Sequence, residues 1–192
     1  MAENGLNYPK VKIAVSGAAE TELCAPNALE MTKELGREIV KAGAVLVTGA
    51  TTGAPYWAAI GAKEVGGFVI GISPAATEHE HVEKYKLPID HHDLIVYTGF
   101  GYSGRNLLLT RSADAVIISC GRIGTLNEFT DVFEDAKPIG VLTSTGGMAD
   151  ELKDIVEVSH RGPGKVVYES NPALLVEKVM ELVQKEKVGL HA

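Results

Sequence analysis

Short runs of β-branched and apolar residues alternate along the chain with longer stretches that have the apolar spacing of helices. The runs are Val11–Val15, Ala44–Thr48, Gly67–Ile72, Asp93–Tyr97, Ala113–Ser119, Ile139–Leu142 and Lys165–Tyr168. Most are apolar on both faces, as parallel strands are when helices cover both sides of a sheet. The helical stretches are Ala25–Ala42, Tyr56–Val65, Ser103–Ser112, Thr125–Lys137, Met148–Ser159 and Asn171–Lys185. This order predicts an α/β fold with a doubly wound parallel sheet of about seven strands and helices on both faces.

Length and charge limit what such a chain can do. Its 192 residues suit one domain over 1–192, with 1–9 and 187–192 expected as flexible tails. Eighteen basic against 25 acidic residues give a net charge of −7, and there is no basic run. Nucleic-acid binding is therefore disfavoured, because neutralising phosphates needs clustered Lys and Arg. No apolar run approaches the roughly 18 residues of a membrane helix, so no membrane partner is expected.

Two cysteines, Cys24 and Cys120, are too few for a disulfide framework. A reducing compartment, and hence a cytoplasmic location, is expected on that basis. Cys120 is interpreted as a buried packing cysteine, because free Cys is among the most buried residue types. The alternative is a reactive thiol at the start of a helix.

Three strand-to-helix turns are rich in Gly, Ser and Thr. In a doubly wound sheet the carboxyl ends of the strands meet at one edge, and ligands bind where the strand order reverses. Backbone amides of such turns, together with the helix N-termini that follow, form cradles for phosphate. One such turn is more often only a tight turn, whereas three at one edge favour a ligand site. The candidate residues are Ser16, Gly17, Gly49, Ala50, Thr51, Thr52, Gly53, Gly121, Arg122, Ile123, Gly124 and Thr125.

The most specific motif runs from Cys120 to Glu128 and reads C-G-R-I-G-T-L-N-E. It resembles the P-G-G-x-G-T-x-x-E motif of the Lonely Guy, or lysine decarboxylase-like, family, with Cys in place of Pro and Arg122 in place of the second Gly. Upstream, Arg105-Asn106 stands where that family has Arg-Lys, and an Arg-Asn pair looks more like the neighbouring molybdenum-cofactor carrier branch. The segment Gly49–Gly53 resembles the second glycine loop of both branches. The resemblance covers about residues 10–160 and implies a Rossmann-like fold.

The resemblance also implies roles for individual residues. The Lonely Guy enzymes are cytokinin-activating nucleoside 5′-monophosphate phosphoribohydrolases, so Arg105 and Glu128 would be the catalytic residues if this chain were such a hydrolase. Arg105 and Asn106 would contact the phosphate, for which a planar guanidinium is well suited. Glu128, one turn into a helix, could bind ribose hydroxyls or stabilise an oxocarbenium-like centre. Thr125 and Glu128 also have the T-x-x-E spacing of a capping box, which is the purely structural alternative.

The leading hypothesis is a protein that binds a nucleotide or another phosphate-containing small molecule. The ligand could be the molybdenum cofactor or a nucleoside monophosphate, and no further cofactor is required. The runner-up is the phosphoribohydrolase, which Arg122 and Asn106 disfavour more than they disfavour anion binding. A third hypothesis is a molybdopterin carrier without catalysis. The resemblance also implies a homo-oligomer, a dimer or a tetramer.

The longest irregular stretch, residues 73–92, contains His79, His81, His91 and His92 beside acidic residues. The H-x-H spacing in a loop can bind zinc, but no Cys–His motif accompanies it. A solvated flap over the ligand site is the favoured interpretation, and no metal ligand is assigned.

Overall fold

Seven parallel strands form one sheet in the structure, a computed structural model that describes residues 9–189. The strands are β1 (Lys12–Gly17), β2 (Val45–Thr48), β3 (Val69–Ser73), β4 (Leu94–Tyr97), β5 (Ala115–Ser119), β6 (Ile139–Leu142) and β7 (Val166–Glu169). The helices are α1 (Ala28–Lys41), α2 (Ala54–Glu64), α3 (Gly101–Ser112), α4 (Ile123–Glu134), α5 (Gly147–Ser159) and α6 (Pro172–Gly189). A short π-helix, Glu80–Lys84, lies between β3 and β4.

The strand order places the first strand near the middle of the sheet. From one edge to the other it is β4-β3-β2-β1-β5-β6-β7, so the chain first winds outwards from β1 to β4 and then returns to the other side of β1. The reversal lies between β1 and β5, where Gly17 is paired with Ser119. The predicted α/β, doubly wound fold is confirmed. The crevice beyond the carboxyl ends of β1 and β5 is where such sheets bind ligands.

Helices cover both faces of the sheet, which explains the near-continuous apolar strands. On one face, α1, α2 and α6 bury residues such as Leu35 and Val179. On the other, α3, α4 and α5 bury Leu109, Phe129 and Leu152. Strand β5, next to the central strand β1, is buried along its whole length. Two buried apolar clusters, one on each face of the sheet, therefore fix the positions of the turns at the carboxyl edge.

The end of the chain differs slightly from expectation. Helix α6 continues to Gly189, so residues 187–189, expected in the C-terminal tail, are helical. Pro9, the last residue of the expected N-terminal tail, lies outside the helices and strands, and residues 1–8 and 190–192 lie outside the described residues. Among residues 9–189, no helix is long and apolar enough to cross a membrane.

Helices α1 and α2 cross in close contact at two glycines. A Cβ added to Gly36 would lie 2.0 Å from the carbonyl oxygen of Ala58, and one added to Gly61 would lie 1.8 Å from that of Lys33. Gly36→Ala is therefore expected to lower the free energy of unfolding by about 1–3 kcal/mol, because the helices must move apart. Urea unfolding would measure this. Gly124→Ala is the control, since its Cβ meets nothing within 4 Å among residues 9–189. An equal effect of both substitutions would contradict the prediction.

Candidate anion-binding site

A cleft of about 330 Å³ opens at the carboxyl edge of the sheet, at the point where the strand order reverses. This volume falls within the range of small-molecule sites. The cleft is lined by Gly17, Ala18, Ala19, Glu20, Thr51, Tyr102, Arg105, Asn106, Arg122, Gly124, Thr125 and Glu128. Residues from the turns after β1, β2 and β5 thus meet here, as the sequence predicts, and helix α3 supplies a fourth wall.

The turn after β5 presents bare backbone to this cleft. The first hydrogen bond of α4 runs from the Leu126 amide to the Arg122 carbonyl, so the three preceding helical amides have no acceptor within the helix. Gly121 has a φ of +105°, and a Cβ there would lie 2.6 Å from Thr125 Cγ2. At Gly124 a Cβ would meet nothing within 4 Å. Free amides at a helix N-terminus are suited to binding an anion.

Arg105 brings a buried positive charge to the cleft. It is 5% exposed, and its Nη1 donates to Glu128 Oε1 at 3.3 Å. Its Nε is buried without a hydrogen-bond partner in the described part of the chain. A Cβ at Gly49 would lie 2.1 Å from Arg105 Nη1, so this glycine makes room for the guanidinium. The arginine is held in place but not fully hydrogen-bonded by the protein.

Glu128 is the second buried charged group. Its Oε2 accepts a hydrogen bond from the Ser16 hydroxyl at the end of β1, and its Oε1 faces Arg105. Burial raises the pKa of Glu128, and the charge of Arg105 and the Ser16 hydrogen bond oppose that effect. Burial also lowers the pKa of Arg105, which stays protonated because guanidinium is so basic. Glu128 is therefore a carboxyl group that takes up a proton more readily than usual, beside a permanent cation.

Asn106 and Tyr102 form the α3 wall of the cleft. In the amide orientation that satisfies its neighbours, Asn106 donates to Glu128 Oε1 and to the Tyr102 carbonyl, both at 2.9 Å. The Tyr102 side chain is about half exposed, and its ring lies edge-on to that of Tyr85. The sequence identified Asn106 as a ligand contact, and its contacts also give it a role in orienting Glu128. Tyr102 was missed, because nothing in its spacing distinguishes it from a surface aromatic residue.

An ion pair spans the mouth of the cleft. Arg122, at the position of a motif glycine, donates through Nη1 to Glu20 Oε2 from the turn after β1. Both side chains are mostly exposed, so the pair contributes little to stability. The neighbouring Ile123 side chain is 77% exposed and does not line the cleft. Glu20 was missed by the sequence analysis, although it directly follows the first glycine turn.

The turn after β2 divides into residues that reach the cleft and residues that shape the turn. Thr51 lines the cleft, and Gly49 lies against Arg105. Ala50 is fully buried with a φ of +50°, and its amide donates to the Thr48 hydroxyl. Thr52 and Gly53 hold this turn against the turn after β1. The Thr52 hydroxyl donates to the Ala19 carbonyl, and a Cβ at Gly53 would lie 2.1 Å from the Ala18 carbonyl oxygen.

The two cysteines form a disulfide, and the interpretation of Cys120 as a free packing cysteine is wrong in this respect. Cys120 is fully buried, as predicted, but its Sγ is bonded to that of Cys24, 96 residues earlier. The turns after β1 and β5 end side by side at the point of strand reversal, which brings the two side chains together. Sequence spacing alone gave no sign of this, because the two cysteines lie in unrelated turns.

The histidine-containing segment does not cover the cleft, so the expectation of a flap over the site is wrong. None of residues 73–92 is among the cleft-lining residues. His81 is fully buried, with Nδ1 2.8 Å from the Ser73 hydroxyl and Nε2 donating to the Pro88 carbonyl. Within residues 9–189, no three His, Cys, Asp or Glu residues are grouped so that they could hold a metal ion. The segment is anchored to the sheet by these histidine contacts.

His92 should make stability depend on pH. Its Nδ1 donates to the Asp90 carbonyl, and its Nε2 accepts from the Thr48 hydroxyl. Burial lowers its pKa below the ordinary value of 6.5, and His81 and His91 act in the same direction, against Asp90. At acidic pH the unfolded chain therefore binds a proton at His92 more readily than the folded chain does. The free energy of unfolding consequently decreases as the pH falls below about 6.5. Between pH 8 and pH 5.5, the thermal unfolding temperature should fall less for His92→Gln than for the wild type. Identical pH profiles would exclude His92 as a source of the pH dependence.

Comparison with known proteins places the chain in a family. A family model described as the SLOG cluster4 family matches residues 10–176. The chain belongs to this family. The resemblance to the Lonely Guy-like superfamily inferred from the Cys120–Glu128 motif is thereby confirmed.

The chain is also similar to individual relatives and solved structures. An uncharacterized protein of Archaeoglobus fulgidus is 30% identical over 132 residues, 69% of this chain and 80% of that protein. The Moco carrier protein from Chlamydomonas reinhardtii is 28% identical with a TM-score of 0.74, over 92% of this chain and 99% of the other. The molybdenum cofactor binding protein from Rippkaea orientalis is also 28% identical, with a TM-score of 0.70, over 93% and 98%.

Proposed function

We propose that this chain binds a phosphate-containing small molecule in the cleft, with the phosphate on the α4 N-terminus, and that the molybdenum cofactor is its leading ligand. The observation that carries the proposal is Arg105. Its guanidinium lines the cleft and is almost fully buried, and its Nε has no hydrogen-bond partner among residues 9–189. A buried donor without a partner is costly. An anion that shifts the Arg105 guanidinium and completes its hydrogen bonds would therefore bind favourably.

The free backbone at the start of α4 supports the same proposal. The amides that precede Leu126 lack partners within the helix, and the open space at Gly124 leaves room for an anion. The helix dipole favours negative charge at this end. The molybdenum cofactor carries a phosphate monoester, so its phosphate would suit this cradle while Arg105 supplies the charge. The Moco-binding neighbours from Chlamydomonas reinhardtii and Rippkaea orientalis support this ligand over others.

Calorimetric titration tests the proposal directly. Inorganic phosphate, AMP and isolated molybdenum cofactor are titrated into the same preparation. Binding of all three, tightest for molybdenum cofactor, is the expected result. If phosphate and AMP both fail to bind, the cradle is not an anion site. If they bind and the molybdenum cofactor does not, the leading ligand is wrong and a nucleotide takes its place.

Glu128 favours a second candidate function, hydrolysis of a nucleoside 5′-monophosphate. A carboxyl group with a raised pKa beside a buried Arg is an arrangement that can stabilise charge during N-glycosidic cleavage. Two features oppose it. The oxygens of Glu128 are already engaged by Ser16 and Arg105, and Arg122 stands where the hydrolase motif has glycine. A displacement of even about 1 Å can cost on the order of a hundredfold in rate.

Adenine release from AMP is therefore expected to be slow or absent, while binding of AMP persists. Arg122→Gly should increase the rate, because it restores the smallest residue at the motif position and frees Glu20. Chromatographic measurement of free adenine over several hours would decide. Brisk turnover by the wild type that is abolished in Glu128→Gln would establish the hydrolase instead of the binding protein.

A further inference from the structure

The disulfide joins two of the turns that form the cleft. Cys24 lies between β1 and α1 and is partly exposed, whereas Cys120 is fully buried and directly precedes Gly121. We infer that Cys24 and Cys120 form a redox-modification site that controls anion binding, with the oxidised chain binding phosphate more tightly than the reduced chain. This inference rests on the proposed function, because it concerns the affinity of the same cradle.

Charge is the first reason for the coupling. The Cys120 sulfur lies where two helices begin: α4 starts three residues later, and a Cβ at Gly147, the first residue of α5, would lie 3.0 Å from Cys120 Sγ. Two α5 amides donate to this turn, Met148 to the Gly121 carbonyl and Ala149 to the Cys120 carbonyl. Helix N-termini favour a thiolate over a thiol. Full burial of Cys120 acts in the opposite direction, towards the neutral thiol. The fraction of reduced Cys120 that ionises places a negative charge beside the cradle, where it opposes a bound phosphate, and oxidation removes it.

Anchoring of the cleft wall is the second reason. Residues 18–24 carry Ala18, Ala19 and Glu20, which line the cleft. Backbone hydrogen bonds hold this segment at both ends, from the Ala54 amide to the Ala18 carbonyl and, just beyond Cys24, from the Ala25 amide to the Thr145 carbonyl. In the described structure, its side-chain ties to the turn after β5 are the disulfide and the exposed Glu20–Arg122 ion pair. Of these two side-chain contacts, reduction leaves the solvent-exposed ion pair, which is the weaker.

The chemistry is ordinary thiol–disulfide exchange with a small dithiol. One thiolate of the reductant attacks the Sγ of Cys24, the more exposed of the two residues, and the Cys24–Cys120 bond breaks with Cys120 leaving as a thiolate. The second thiol of the reductant then attacks the mixed disulfide, which releases Cys24 and closes the reductant's own disulfide. Two electrons pass from the dithiol to the cysteine pair, and the two protons go to the released sulfurs or to water. A thiolate stabilised by helix N-termini is a good leaving group, so this direction of attack is also the faster one.

The test compares one protein in two redox states. Wild-type chain is oxidised, or reduced with a small dithiol, and the thiols are counted by alkylation and mass spectrometry. Each form is titrated with inorganic phosphate and with AMP, after circular dichroism has shown that both are folded at the working temperature. Reduction should weaken binding about fivefold or more, and reoxidation should restore it. By reciprocal linkage, saturating AMP should make the disulfide harder to reduce by the same factor.

Cys24→Ser is the matched control, because it keeps the Cys120 thiol but cannot form the bond. It should bind phosphate like the reduced wild type, with or without reductant. Equal affinity of oxidised and reduced wild type would overturn the redox inference and leave the proposed function intact. Absence of phosphate and AMP binding in both states would overturn the proposed function itself. The wild-type comparison decides even if the variant does not fold.

Discussion

Replacing Arg105 with alanine is expected to weaken binding of inorganic phosphate by about 1.5–3 kcal/mol, or about 10- to 150-fold. This is the range for a hydrogen bond to a charged group. It applies because Arg105 is nearly buried and its Nε finds no partner in the described part of the structure. Solvent screens such a charge much less than it screens a surface arginine. Calorimetric titration of wild type and variant under the same salt conditions measures the effect.

Arg111→Ala supplies the control on the same helix. Arg111 lies on the surface of α3 and pairs with Asp135, away from the cleft, so this variant should bind phosphate like the wild type. Arg105→Ala also leaves Glu128 as a buried carboxylate without its cation, which threatens folding. The double variant Arg105→Ala/Glu128→Gln removes that charge and keeps the test informative. Wild-type affinity in both the single and the double variant would exclude Arg105 from the site.

The fold could be predicted because its strongest signal is local. Runs such as Val11–Val15 and Ala113–Ser119 are apolar on both faces, and only a sheet covered by helices on both sides buries them fully. Alternation with helical stretches then leaves parallel strands with crossover helices as the natural topology. The structure differs mainly at element ends, as at the start of α1, where the three residues from Ala25 to Asn27 remain in the loop. Helix propensity alone does not determine where a helix begins.

The cradle was predictable for a similar reason. Residues at or just beyond the carboxyl ends of β1, β2 and β5 must meet at one edge once the strands are parallel. Ser16, near the end of β1, donates to Glu128, and Thr51 and Thr125 line the cleft. The family resemblance placed Glu128, in the motif, and Arg105, in the upstream arginine segment, near them. Their direct contact at 3.3 Å, and the space that Gly49 leaves for the guanidinium, depend on how α3 packs against the sheet. Side-chain contacts between distant elements are not encoded in spacing.

The remaining features of the site depend on loop paths that sequence patterns do not specify. Glu20 meets Arg122, and Cys24 meets Cys120, because the segment after β1 turns towards the start of α4 rather than away from it. The histidine-containing segment, residues 73–92, was also misjudged from its sequence. Its composition suggested a solvated flap, but His81 is fully buried and holds the segment through Ser73 and Pro88. A polar composition thus hid a packed structural role.

Reducing the Cys24–Cys120 disulfide is expected to lower the free energy of unfolding by about 2–5 kcal/mol. The bond closes a loop over 96 positions of sequence, and constraining so long a loop removes much conformational freedom from the unfolded chain. It also joins the segment between β1 and α1 to the turn after β5, at the centre of the sheet. Urea unfolding of the oxidised and reduced wild type, monitored by circular dichroism, would measure the difference.

Saturating phosphate separates this effect from the one on binding. A ligand that binds only the folded state stabilises it by RT ln(1 + L/Kd), where L is the free ligand concentration, so the stabilisation is larger when the ligand binds more tightly. If the oxidised chain binds phosphate more tightly, phosphate should therefore raise its urea midpoint more than it raises that of the reduced chain. Cys24→Ala/Cys120→Ala should then match the reduced chain in stability while losing all dependence on reductant. Equal unfolding midpoints for oxidised and reduced wild type would show that the fold alone, and not the covalent bond, holds the turns after β1 and β5 together.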